Sequence, residues 1–449
     1  MEKEKSEEYK IFVEKRLKEY KDFKKELKEL KKYSFDTICN QGAFTKKMAY
    51  DLKSIVPCAN TSSSSPFLSV DEMAAVLSYS IPGFAYTRII NPTNYLLELQ
   101  MAMLEGYKIE DDTEALLFSS GMSAIFMAVF SLVENGDNII SSNRVYGGTF
   151  QLFDVQLKKM GVEVRFVENP ENLEEWKNKI DEKTKLFYVE SPSNPGLFIA
   201  DIKNLADLAH LNNIPLIVDS TLASPVLNRP LEHGADIVIH SISKVLGASG
   251  NVIGGCLISK NNIITKSKEI GLKENFAEWV RKFPYRDIGP AFSPESAAGI
   301  INDMRTLKSR VKTHSASALA VAEFLEKHPK ITKVNYPGLK NFSSFNEAQK
   351  YLKIVDDNIN AYGFLLSFEV KGNMDDVKKV CENLKIGHMA TDLGKSCTVF
   401  TWPAGTTHFQ LGEEARIKAG ISNNLIRYSV GLEDTKDLIK DLDQALSLI

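Results

Sequence analysis

Near the start of the chain, Phe12, Leu17, Tyr20, Phe23, Leu27 and Leu30 recur at roughly helical spacing in a background dense in Lys and Glu. That stripe predicts one long amphipathic helix reaching to about Tyr33, either a solvated arm or an arm that packs on a partner subunit. From Cys39 to Leu68 the period disappears and the chain turns polar, with a Thr-Ser-Ser-Ser-Ser-Pro run at Thr61–Pro66. A loop is expected there, and loops of this length tend to be functional or to wrap other surfaces. The pattern then alternates between short apolar runs and helical stretches. Strands are expected at Glu114–Phe118, Asn138–Ser142, Val162–Val167, Lys185–Glu190, Pro215–Asp219, Ala235–Ser241 and Gly255–Ser259, with helices at Met122–Leu132, Gln151–Met160 and Ile202–Leu211. Strands alternating with helices imply a mostly parallel sheet covered on both faces. Beyond about Phe292 a long helical segment, Glu295–His328, leads into a second α/β unit. Its strands are expected near Gly363–Val370 and Leu425–Val430, and its last helix at Lys436–Leu448. The organisation read from this is an N-terminal arm (1–75), a large α/β domain (76–292) and a smaller C-terminal α/β domain (293–449).

Composition narrows the classes. With 449 residues, 43% apolar and 25% charged, the chain has the make-up of a multidomain soluble globular protein. A net charge of −3 gives no support for nucleic-acid binding. The apolar runs are too short and interrupted for a membrane span, and the Lys/Glu-rich start has no apolar signal core, so a cytoplasmic location is expected. Five widely spaced cysteines, Cys39, Cys58, Cys256, Cys381 and Cys397, argue against a disulfide framework and against a metal cluster. No G-x-G-x-x-G follows a strand, so a nicotinamide or flavin site has little support.

The chemistry gathers at strand ends. Lys244 lies just past the strand Ala235–Ser241, at the carboxyl edge of a parallel sheet, where open α/β folds bind ligands. A lysine amine there can condense with an aldehyde cofactor and later move protons, and Ser241 and Ser243 beside it can donate to a phosphate. Alone, a loop lysine is a solvated surface group. Asp219 ends the neighbouring strand, one helix-sized crossover earlier, and is a candidate partner for a pyridine nitrogen; alone it is a turn residue. Ser120-Gly121-Met122 opens a helix after a strand and forms a candidate anion site, otherwise an ordinary cap. Tyr146, after another strand, is placed to stack on a cofactor ring. Arg427 is a charge inside an apolar strand and needs a partner; a substrate carboxylate held by two parallel bonds would serve, as would an internal salt bridge.

Together and in this order, these elements resemble the Cys/Met-metabolism pyridoxal-phosphate (PLP) enzymes. The matching stretches are Tyr86-Thr-Arg88 with Asn91-Pro-Thr93, Ser119-Ser-Gly-Met122, Tyr146-Gly-Gly, Glu190-Ser-Pro with Asn194-Pro195, Val218-Asp219 and His240-Ser-Ile-Ser-Lys244. Tyr336-Pro-Gly-Leu339, Thr407-His408 and Ile426-Arg-Tyr-Ser-Val-Gly-Leu-Glu-Asp434 complete the set. The resemblance implies the aspartate-aminotransferase type of PLP fold (fold type I). It implies that Lys244 carries the PLP, that Asp219 pairs with the pyridine nitrogen, and that Tyr146 stacks on the ring. Ser120, Gly121, Met122, Ser241 and Ser243 are expected to hold the phosphate, with Asn194 near the ring's 3-oxygen. Arg427 is expected to take the substrate carboxylate, with Asp392 in the loop beside it. Tyr86 and Arg88 are expected to bind the cofactor phosphate of a neighbouring subunit, in an obligate homodimer that pairs into a homotetramer.

Reactions in this family replace or eliminate a γ-substituent of an amino acid. Gly148 stands where methionine γ-lyases usually carry a cysteine, and Pro403–Glu414 is similar to the sulfhydrylase version of that segment. Both favour O-acetylhomoserine sulfhydrylase chemistry over methionine γ-lyase, cystathionine γ-lyase or cystathionine γ-synthase. Departures from the family pattern are Ser220-Thr221 after Asp219, the loop Thr391–Cys397 in place of a Ser-Leu-Gly-Gly run, Trp402 for a usual histidine, and the basic-aromatic stretch Arg281–Arg286.

Overall fold

The computed structural model of the chain describes residues 7–407, 413, 416 and 420–449. Glu7–Leu30 is one helix, as the apolar stripe predicts, and the stripe is covered by the chain itself. Leu27 sinks into the main core with Phe35, Ile38 and Cys39, while Tyr9 packs against Ala75, Val76 and Ile81. Lys24 pairs with Glu114 at 2.7 Å on the same side. The expected loop after Cys39 contains the short helix Lys46–Leu52, preceded by Phe35–Gln41. Lys46–Leu52 buries no side chain and is held by its cap, Thr45 accepting from the Met48 amide, so it has no apolar period for a sequence reading to detect.

The large sheet has seven strands: β1 Thr113–Phe118, β2 Asn138–Ser142, β3 Glu163–Val167, β4 Thr184–Glu190, β5 Leu216–Asp219, β6 Ile237–His240 and β7 Gly255–Lys260, in the order β1-β7-β6-β5-β4-β2-β3. Every neighbouring pair from β6 to β3 is parallel, and β7 alone runs against its neighbours β1 and β6. Strands β5 and β6 are buried along their whole length, and successive side chains leave on opposite faces. Leu216, Val218 and Val238 enter one apolar cluster, and Ile217, Ile237 and Ile239 the other.

Two expected helices differ in detail. Gln151–Met160 begins earlier, as Gly147–Gln151, and continues through a π-helical stretch, Leu152–Leu157. The long segment from Glu295 divides into Pro294–Met304 and Leu307–Lys327. At the break the Arg310 side chain binds the Asp303 carbonyl at 2.9 Å and the Thr306 hydroxyl at 3.1 Å, giving orphaned helix-end groups a partner. The C-terminal strands form a smaller five-stranded sheet in the order His388–Met389, Val399–Thr401, Leu425–Ser429, Leu365–Val370 and Ile331–Asn335. Its own core includes Leu366, Phe368, Phe400 and Tyr428, closed by Leu438 and Leu442 of the helix Thr435–Leu446. No described helix is long and apolar enough to cross a membrane.

Candidate active site

Because β1, β2, β4, β5 and β6 point the same way, their carboxyl ends share one edge of the sheet, and the candidate residues collect there. Asp219 ends β5 and is 6% exposed. Its Oδ1 accepts from the Thr221 amide at 3.0 Å and the Thr221 hydroxyl at 2.6 Å, while among the described residues Oδ2 has only a long bond from the Tyr188 hydroxyl at 3.4 Å. Thr221 also accepts from the Ser241 amide at 2.8 Å, which ties the turn after β5 to the turn that carries Lys244. Burial raises the Asp219 carboxyl above its ordinary range, against the Thr221 bonds and the neighbouring His240 that favour the anion.

Glu190, at the end of β4, stands in register with Asp219. It is equally buried and accepts from the Tyr146 amide at 2.6 Å and the Asn194 amide at 2.8 Å. One carboxylate therefore fixes two loops that carry candidate site residues. Burial, and then Asp219, push the Glu190 carboxyl up, and the two amides offset only part of this. Two buried carboxyls side by side, with no described Lys or Arg paired to Asp219, make a site that favours a cationic ring nitrogen. The Asn194 side-chain oxygen is buried without a hydrogen-bond partner among the described residues.

The helix Gly121–Phe130 opens at the same edge. Ser120 caps it, its hydroxyl accepting from the Ser123 amide at 3.1 Å, and the helix start leaves the Gly121 and Met122 amides without intrahelical partners. A Cβ at Gly121 would come 2.8 Å from Ser241 Cβ, so the turn after β6 packs directly on this N-terminus. The Ser243 hydroxyl exchanges hydrogen bonds with the Gly254 backbone, at 2.9 Å from N and 3.2 Å to O. The Tyr146 ring is half exposed and lies over Gly148, where a Cβ would approach Tyr146 Cε1 to 2.6 Å and the Met122 sulfur to 3.2 Å.

The smaller sheet closes the site from the other side. Lys244 Nζ bonds Asp392 Oδ1 at 2.8 Å. Arg427, 3% exposed, donates through Nη2 to the carbonyls of Thr391 at 3.3 Å and Asp392 at 3.0 Å, and pairs with no carboxylate among the described residues. Burial lowers its pKa to about 10, which keeps it a cation at neutral pH. Burial favours the neutral Asp392 carboxyl, but the Lys244 contact, the Leu393 amide and Lys395 outweigh it and hold the group below its ordinary range.

Tyr86 and Arg88 form no hydrogen bond or ion pair with Lys244, Asp219 or Tyr146, and the Arg88 side chain packs near Gly289. Both are exposed, the guanidinium lies 5.4 Å from the Tyr86 ring centre, and Arg88 donates to the Arg286 carbonyl. Arg281, in the unusual basic stretch, is buried on Glu98 at 2.8 Å. Trp402 donates to the Asn423 carbonyl at 2.7 Å. Of the stretch Pro403–Glu414, His408–Gly412 and Glu414 lie outside the described residues.

Glu190, Thr221 and Lys395 are the site residues to which the sequence reading gave no role. Glu190 sits inside a quoted motif as a charge closing an apolar strand, which is a usable signal. Nothing local marks the contacts of Thr221 or Lys395.

A buried carboxyl pair, a helix N-terminus beside a lysine turn, and an amide oxygen with no partner among the described residues fit a phosphorylated pyridine aldehyde. The family model for Cys/Met metabolism PLP-dependent enzymes matches residues 40–447. The homocysteine synthase of Schizosaccharomyces pombe is 37% identical over 403 residues, covering 85% of this chain and 91% of its own. An L-methionine gamma-lyase of Fusobacterium nucleatum subsp. polymorphum is 36% identical over 422 residues, covering 94% of this chain and 100% of its own. Among solved structures, a candidate O-acetylhomoserine (thiol)-lyase of Campylobacter jejuni, crystallised with N'-pyridoxyl-lysine-5'-monophosphate, superposes with a TM-score of 0.84 at 33% identity, over 92% of this chain and 100% of that one. With a site of this chemistry and a match over nearly its whole length, the chain belongs to the Cys/Met-metabolism PLP-dependent enzymes.

Proposed function

We propose that this enzyme catalyses γ-replacement on O-acetyl-L-homoserine, with sulfide or a small thiol as nucleophile. The family establishes the coarser statement: a PLP-dependent γ-replacement or γ-elimination on a substrate of cysteine and methionine metabolism. The observation that carries the finer reading is Gly148. The position where methionine γ-lyases usually carry a cysteine lies under the Tyr146 ring, and a Cβ there would approach Tyr146 Cε1 to 2.6 Å, so this pocket has no room for that thiol unless the ring moves.

Bound PLP supplies an electron sink for charge developing at the substrate's α- and β-carbons. In the proposed division of labour, Lys244 holds the cofactor aldehyde and, once released, takes and returns protons at the α-carbon. Asp219, with Oδ2 less engaged than Oδ1, would hold a protonated ring nitrogen, and Asn194 would offer its side chain to the ring's 3-oxygen. The Gly121 and Met122 amides, with Ser120 and Ser241, hold the phosphate, and Ser243 supports that turn through Gly254. Tyr146 stacks on the ring and orients the γ-substituent. Arg427 holds the α-carboxylate, with Asp392 beside it on the same wall. The γ-carbon–oxygen bond breaks with loss of acetate, and the sulfur nucleophile adds at the same carbon. Tyr86 and Arg88, both exposed, serve the phosphate of a neighbouring subunit, in a homodimer that pairs into a tetramer in the cytoplasm.

Four L-methionine gamma-lyases among the relatives, 36–38% identical, favour elimination as the second reading. The test offers PLP-loaded protein O-acetyl-L-homoserine with sulfide, and separately L-methionine or L-cystathionine alone, while following homocysteine and 2-oxobutanoate. Homocysteine from the ester is the expected product. Oxobutanoate from methionine or cystathionine with little homocysteine replaces this reading by the lyase.

A further inference from the structure

The loop Thr391–Cys397 departs from the family's Ser-Leu-Gly-Gly pattern, and its two charged residues pair with each other beside Lys244, Asp392 on Lys244 itself and Lys395 on the turn that carries it. Lys395 is 5% exposed and has no part in the chemistry described above. Its ammonium donates to the carbonyls of Ser243 and Gly247, the latter at 3.1 Å, and lies 3.3 Å from Asp392 Oδ2. An ammonium has three donors, and here it has three acceptors, two on the turn that carries Lys244 and one on the C-terminal loop. Burial pulls Lys395 below its ordinary pKa, and Asp392 restores only part of it.

Asp392 thus has two cations, Lys244 at 2.8 Å and Lys395 at 3.3 Å, and its backbone carbonyl is bonded by Arg427 at 3.0 Å. When Lys244 is engaged elsewhere, Lys395 is the ammonium that remains on Asp392. Without it, the carboxylate keeps neither ammonium and opposes a second carboxylate arriving at the adjacent Arg427, since like charges brought together in a desolvated site repel strongly.

We propose that Lys395 is a positioning residue: it neutralises Asp392 and latches the Thr391–Cys397 loop onto the Ser243–Gly247 turn, which reserves Arg427 for the α-carboxylate of the substrate. The proposal rests on the reading of Arg427 as the carboxylate site, and the experiment separates the two. Holoprotein is titrated with L-norleucine, an amino acid with no leaving group, and with 1-pentylamine, the same molecule lacking the carboxylate, each followed by the visible absorbance change. Lys395→Met is expected to weaken norleucine roughly tenfold, as for removal of one partner of a desolvated ion pair, and to leave pentylamine unchanged. Asp392→Asn/Lys395→Met removes both charges and is expected to restore norleucine binding to within about twofold of the parent. Lys395→Arg, which keeps the charge, holds norleucine binding close to the parent and serves if the Met variant does not fold. Equal weakening of both ligands in Lys395→Met, or a double variant weaker than the single, overturns the proposal. Norleucine binding unaffected by Arg427→Gln overturns the Arg427 reading instead.

Discussion

Asp219→Asn is expected to move cofactor affinity and cofactor-free stability in opposite directions. Oδ1 of Asp219 is saturated by Thr221, and an asparagine oxygen keeps those bonds; Oδ2 is the open acceptor. Losing a charge-assisted bond from a ring N–H at Oδ2 removes about 1.5–3 kcal/mol, or roughly 10- to 150-fold in PLP affinity. In cofactor-free protein the same carboxylate is a liability, buried in register with Glu190. Its folded pKa lies above the unfolded value of about 4, so the folded state binds more protons than the unfolded state, and stability falls as pH rises from there through the folded pKa. Asparagine abolishes that loss. The cofactor-free variant should therefore be more stable than the parent at pH 8, with a higher melting temperature, and this advantage should shrink as the pH falls toward about 4. Spectrophotometric titration with PLP and melting at pH 5 and pH 8 read both quantities. Retained PLP affinity, together with a cofactor-free variant less stable than the parent at pH 8, would refute the assignment.

Four further outcomes follow from the packing. Gly121→Ala puts a Cβ 2.8 Å from Ser241 Cβ, so the phosphate notch should close, with PLP affinity falling at least about tenfold while far-ultraviolet circular dichroism stays that of the parent. Arg427→Lys should raise KM more than it lowers kcat, by on the order of tenfold or more, because the planar two-bond grip on a carboxylate is lost; an unchanged KM in steady-state kinetics counts against the role. Arg281→Met strands the buried Glu98 carboxylate and should cost about 3–5 kcal/mol in denaturant unfolding, with Glu98→Leu/Arg281→Met costing less than the single change. Burial holds His314 near a pKa of about 4, below the unfolded value of about 6.5, so its contribution of about 3 kcal/mol is present above pH 6.5 and lost as pH falls toward 4. In unfolding measurements at pH 7 and 4.5, His314→Gln should show a flatter acid limb than the parent.

Much of the fold was legible because it is locally periodic. The apolar runs that became β4, β5 and β6, and the helix Ile202–Leu211, lie where alternation of strand and helix placed them, since both faces of a parallel strand are buried and leave an unbroken apolar run. Lys244 and Asp219 stood out for the same reason: a charge at the end of such a run sits at the sheet edge whichever strands flank it. Lys46–Leu52 and the break before Leu307 were not legible, because a capping hydroxyl and an arginine on a carbonyl decide them rather than a repeating burial pattern.

By itself, then, the sequence determined the strands of the large sheet and two of the five in the smaller one, the edge on which the chemistry lies, and the family to which the residues point. Tertiary structure alone decided which distant groups meet there. Asp392 reaches Lys244 across 148 positions, Glu190 gathers the amides of Tyr146 and Asn194, and Lys395 joins the C-terminal loop to the Ser243–Gly247 turn. These contacts depend on strand order and on how the smaller sheet docks. A buried charge imposes no period on its neighbours, so its partner is set by whichever group the fold brings within hydrogen-bonding distance.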